Sequence, residues 1–176
     1  MLMRKINAVL SLLTTLLFFD HAIFNTVRMI SPNPVEESAD FMPWIFFGLM
    51  LLHAVISIFL VISTRSKNKE QKPKAYVKLN FATIAQRFSG VALIVLAGLH
   101  AVGTSGLVHF PKPVYPILHI VFFTVAFAHV AVSTSKAFIT LGIGNAKFVK
   151  VADIVIKVIC AVMLIAALTG IFLYKV

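Results

Sequence analysis

The chain has 176 residues, of which 60% are hydrophobic and 12% charged, whereas soluble domains carry about 25% charged residues; most of it cannot face water. A formal net charge of +10 raises nucleic acid as a partner. The basic residues, however, form no aromatic-interleaved stripe and gather between apolar runs, which excludes nucleic acid and reads as membrane topology.

Five apolar segments follow in order, each close to the roughly 20 residues that cross a bilayer. The first runs from Asn7 to Phe24. Its start, Arg4-Lys5 and an apolar stretch to Phe19, imitates a secretory signal, but the run passes into Asp20-His21-Ala22 without a small-x-small cleavage site. It is read as a retained span. An exit loop from Arg28 to Asp40 carries Pro32, Pro34, Glu36 and Glu37. The second segment, Pro43 to Ile62, opens near Trp44, a ring suited to the membrane interface. A polar, basic connector from Arg65 to Lys74 leads to the third, which begins at Phe81 and ends near Gly103-Thr104. Gly106, Pro111 and Pro113 mark the loop before the fourth, Val114 to Ile139. After Gly142-Ile143-Gly144-Asn145 the fifth runs from Val151 to Tyr174. The single Cys160 lies in this last run, so no disulfide within the chain is available and a packing role is expected. A span in lipid must satisfy its own backbone hydrogen bonds. The expectation is therefore one all-α membrane domain over residues 1–176 with five transmembrane helices, the first four forming a bundle.

Loop charge orients it. Arg4, Lys5, the connector, Lys136, Lys147 and Lys150 fall on one side; Glu36, Glu37 and Asp40 fall on the other, with Arg28 and Lys112 as the nearby cations. The positive-inside rule places the N-terminus and the connector in the cytoplasm.

Imidazoles are costly in hydrocarbon unless something there uses them. His21, His53, His100 and His129 each lie in a different apolar segment. At a rise of about 1.5 Å per residue, His21 and His100 sit roughly 6–10 Å below the outer ends of their helices, and His53 and His129 roughly 15–20 Å. The four sort into an outer pair on helices one and three and an inner pair on helices two and four. Parallel helices of an up-down bundle are diagonal neighbours, roughly 11–14 Å apart when adjacent helices pack at about 8–10 Å. That width suits two imidazoles with an iron between them, and axial histidine is a common haem ligand. Two stacked bis-histidine b-type haems are the expectation; histidines that only bond between helices or line a polar cavity are the alternative. His109 falls in the outer loop. His119, at outer depth on helix four, either lines a site beside the outer haem or packs.

These residues resemble a known family. Gln86-Arg87-Phe88-Ser89-Gly90-Val91 leading to His100 is similar to the third helix of the single-subunit, two-haem cytochrome b that anchors succinate:quinone oxidoreductases. Pro43 through His53-Ala54 resembles its second helix, Ala128-His129 to Leu141-Gly142-Ile143 its fourth, and Arg4-Lys5 to His21, more loosely, its first. The resemblance covers nearly the whole chain, but only the Gln-Arg-x-Ser-Gly stretch and the histidine spacing are specific. It implies haem ligation from helices one with three and two with four. It further implies a prokaryotic inner-membrane complex in which cytoplasmic flavoprotein and iron–sulfur subunits exchange electrons through this anchor with a membrane quinone, expected to be menaquinone. Some family members carry a proton-conducting glutamate two residues before the fourth-helix ligand; Phe127 stands there in this chain.

Three further residues carry open readings. Arg87 is suited either to haem propionates or to snorkelling toward the interface. Ser89 can hydrogen-bond at the site, or only allow close packing beside Gly90. Asp20, the one acid in the outer half of a span, is a candidate with His119 for a quinone site that takes up protons, or else a hydrated headgroup-level carboxylate. Asp153 and Lys157, spaced i,i+4, are expected to pair. A di-haem cytochrome b of another quinone-linked enzyme, of hydrogenase or formate dehydrogenase type, would use the same cage; a haem-free anchor is the reading of a different class.

Overall fold

The computed structural model describes residues 2–31, 42–70 and 81–173, with residues 42 and 64–70 described as backbone only. Glu36, Glu37, Asp40, Tyr174, the side chains of Arg65 to Glu70 and the remainder of the connector to Lys74 lie outside the described residues. Five helices make up the rest: α1 Leu2–Ile30, α2 Met42–Glu70, α3 Phe81–Thr104, α4 Val114–Leu141 and α5 Ala146–Leu173. Each contains a stretch long and apolar enough to cross a membrane, and among the described residues there is no strand. The chain is an all-α, multi-pass membrane protein. Its outer surface agrees, since Phe81, Phe88 and Phe172 are 82%, 79% and 75% exposed, a pattern that water would penalise and lipid does not.

Several helices outrun the apolar segments that announce them. α1 continues to Ile30 and takes in Arg28, where a cation favours the negative end of the helix dipole. α2 continues to Glu70 because the Lys, Arg and Glu of that run are good helix formers and nothing in it breaks a helix. Hydropathy marks the slab of hydrocarbon; backbone chemistry marks where a helix stops. At the end of α4, Gly142 turns left-handed at φ 73°, and its N–H and that of Ile143 bond back to Ile139 O at 3.2 Å and Phe138 O at 3.0 Å, which is a Schellman closure. α5 then starts under Asn145, whose Oδ1 accepts the Phe148 N–H at 2.9 Å.

Around the bundle α1 packs on α2 and α4, and α4 on α3, while α2 and α3 barely meet. Among the described residues no Cα of α1 comes within 8 Å of α3, nor any of α2 within 8 Å of α4. Those two pairs are the diagonals. α5 lies outside the four, against α1 and α4. The packed core sits on that side: Phe18, Ala22, Ala126, Phe127, Val130, Cys160 and Ala167 form one buried cluster. Phe127 is 1% exposed and meets Phe18 edge-on at 5.0 Å between ring centres. Cys160 is buried here, as a small packing residue. Small residues let the helices close up; a Cβ on Gly170 would stand 3.3 Å from Met29 Cβ. α2 has no buried residue in its span, and is tied to α1 by Asn7 Nδ2 donating to Ser57 Oγ at 3.0 Å.

Candidate functional site

Because the diagonals do not close, the four helices enclose a cavity of about 1200 Å³, above the roughly 300–1,000 Å³ of an ordinary small-molecule pocket. His21, His53, His100, His119 and His129 all line it, with Asp20 and Arg87. His129 lies within electrostatic reach of His53, and His100 within reach of both His119 and His21. Among the described residues no three of His, Cys, Asp and Glu converge on one point. An iron whose other positions are filled by a macrocycle would need two imidazoles rather than such a cluster.

The inner pair is shaped from α3. Ser89 Oγ lies 2.6 Å from Ala85 O and 2.9 Å from His129 Nδ1. A carbonyl only accepts, so the hydroxyl proton goes to Ala85 and the oxygen receives the His129 Nδ1–H. That tautomer leaves the Nε2 lone pair of His129 free, as a metal ligand requires. Gly90 makes room for the ring, because a Cβ there would meet His129 Cε1 at 3.2 Å. The Gln-Arg-x-Ser-Gly stretch is thus the seat of the histidine on the next helix. Opposite it, His53 lies against the backbone of Asn7, and its Nδ1 is buried with no hydrogen-bond partner. An orphaned buried nitrogen costs about 1–3 kcal/mol, a cost that a ligand at that nitrogen would remove.

The outer pair is arranged differently. His119 Nδ1 lies 2.8 Å from Tyr115 O, and its Nε2 lies 3.1 Å from His100 Nδ1. His100 is stacked on Phe122 at 4.7 Å and 19°. On α1, Asn25 Nδ2 donates to His21 O at 2.8 Å and stands 3.3 Å from His21 Nδ1. His119 is 8% exposed, whereas Asp20 is exposed at the cavity's edge. His109 is exposed in the loop between α3 and α4.

At the inner end, Lys136 Nζ donates to Gln86 Oε1 at 2.7 Å and reaches Thr83 Oγ1 and Ala82 O at 3.4 and 3.3 Å. Arg87, which lines the cavity, is close enough for the two charges to repel. Asp153 and Lys157 form the expected i,i+4 ion pair, outside the lining of the histidine cavity.

The residues fit a bis-histidine haem on three counts: the four histidines line one cavity, the diagonals are left open, and His100 and His129 each keep an Nε2 lone pair while Nδ1 is held. The bond between His119 and His100 has no signature in sequence spacing. Asn7 and Asn25, polar residues inside apolar spans, are the signal by which two of the supporting contacts were open to detection. Comparison with protein-family models, with curated proteins and with solved structures finds no match to this chain.

Proposed function

We propose that this chain is the di-haem cytochrome b anchor of a succinate:quinone oxidoreductase in a prokaryotic inner membrane, its N-terminus cytoplasmic. It relays electrons between cytoplasmic flavoprotein and iron–sulfur subunits and membrane quinone, for which menaquinone is the expected species. The observation that carries this reading is that His53, His129, His21 and His100 line one cavity, on helix pairs, α2 with α4 and α1 with α3, that packing leaves apart. Haem, when bound, supplies a one-electron carrier at each level. The protein's own part is positional. Ser89 holds His129 in the ligating tautomer, Gly90 leaves the ring its space, and Arg87, on the cavity wall, offers a cation to a propionate. Asp20, exposed on the cavity's outer edge, is the candidate for handing protons to a quinone there.

The test is purification of the chain from its native membranes with whatever soluble subunits accompany it. Expected are a succinate-type flavoprotein and an iron–sulfur protein, and absorption bands that succinate reduces. Co-purification with a hydrogenase or formate dehydrogenase module would move the chain to another quinone-linked enzyme. With an outer quinone site, each charge crossing 100 mV involves about 2.3 kcal/mol; turnover in sealed vesicles indifferent to uncoupler would overturn that topology.

A further inference from the structure

We propose that His119 is a positioning residue for the outer iron ligand, holding His100 so that its Nε2 faces the cavity. The proposal rests on the haem reading above, and assigns His119 a place other than the quinone site. The proton count along one chain of contacts leads to it. Tyr115 O can only accept, so the Nδ1 at 2.8 Å from it is the protonated nitrogen of a neutral His119. Its Nε2 then carries a lone pair, and the 3.1 Å contact to His100 requires His100 to donate from Nδ1. One nitrogen of His100 remains, Nε2, and its lone pair is the unspent one.

This chain is anchored at a backbone carbonyl in the first turn of α4, not at a rotatable side chain. The i,i+4 spacing of Tyr115 and His119 puts ring and carbonyl on one helix face, and the Tyr115 and His119 rings lie 4.2 Å apart. His100 is held on its other side by Phe122, so its orientation is set from α4 although it belongs to α3. The inner site has the mirror arrangement: there α3 sets the α4 ligand through Ser89. Each of these two ligands is thus oriented by the helix that packs against its own.

Accepting a proton from the far side of a ligating imidazole raises its basicity, which favours ferric iron. Losing that acceptor shifts the outer midpoint potential upward. The experiment is a spectroelectrochemical titration of the purified protein carrying His119→Phe, His119→Gln or His119→Asn. Gln offers an oxygen near the position of Nε2 and so keeps the acceptor for His100. Asn keeps only the donor toward Tyr115. Expected is an upward shift of the outer potential in His119→Phe and His119→Asn by roughly the tenfold that outer-shell partners are worth, which is about 59 mV for one electron. His119→Gln stays near wild type, and the inner potential, unchanged throughout, serves as the control for folding. An outer potential equal in all three variants, whether at the wild-type value or shifted, overturns the role of His119. Where His119→Phe does not assemble, Gln against Asn decides on the same criterion. Wild-type protein without haem bands overturns instead the reading on which the proposal stands.

Discussion

One side of this bundle is filled and the other is hollow, and the division follows the helices. On the α1–α4–α5 side, Phe127, Ala126, Cys160 and Ala167 are nearly inaccessible, and small residues bring backbones together. On the α2–α3 side the helices hardly touch, α2 buries nothing in its span, and the space between is lined by histidines. In lipid there is no hydrophobic gain from pressing helices together, so association depends on packing and hydrogen bonds. A helix pair lacking both stays apart unless something else fills the gap. The filled side is built to hold the fold. The hollow side is the one that the proposed haems would fill.

That contrast can be broken from either side. The largest effect is expected at the hollow diagonals: His53→Ala and His100→Ala should each remove about one haem and leave the helices assembled, read as the haem-to-protein ratio of purified variants. Loss of neither haem, or of both together from either substitution, would break the two-level arrangement. On the filled side, Phe127→Ala opens a cavity in the core and should cost about 3 kcal/mol of stability, measured by unfolding in detergent. The same truncation at Phe88, which is 79% exposed, should stay within about 0.5 kcal/mol. If the two cost alike, the filled side is not what holds the molecule. Gly90→Ala sharpens the comparison, since its new Cβ presses on His129 at 3.2 Å: inner-haem occupancy should fall while the outer haem and the unfolding midpoint barely move. Ser89→Ala is the mildest. It removes a hydrogen bond worth about 1 kcal/mol and should raise the inner midpoint potential without losing haem.

Much of the fold could be read from the sequence because hydrocarbon thickness and helix rise leave few choices. Phe81 to Thr104 was bounded by composition alone, and α3 has those bounds. The ends of α1, α2 and α5 were less legible, since a helix runs on through polar residues that hydropathy discounts. Within the site, depth along each helix follows from residue number, which is why His21, His53, His100 and His129 stand out. Rotation about each helix axis does not follow from residue number. The bond from His100 to His119 depends on that rotation and on the loop of residues 105–113, and spacing alone does not distinguish a His119 that lines the outer site from one that packs. Gly90 could be noted in the sequence, but not that its missing side chain is the room His129 occupies. The gap between α2 and α3 has no sequence marker, because a helix facing lipid and a helix facing a cofactor are both apolar.

The most direct measurement is the haem content of the purified chain, by pyridine haemochrome against protein concentration, with a reduced-minus-oxidised spectrum. Two b-type haems per chain, resolved into two midpoint potentials, is the result this arrangement of imidazoles predicts. Protein that is folded and helical yet takes up no haem when haem is supplied would contradict it.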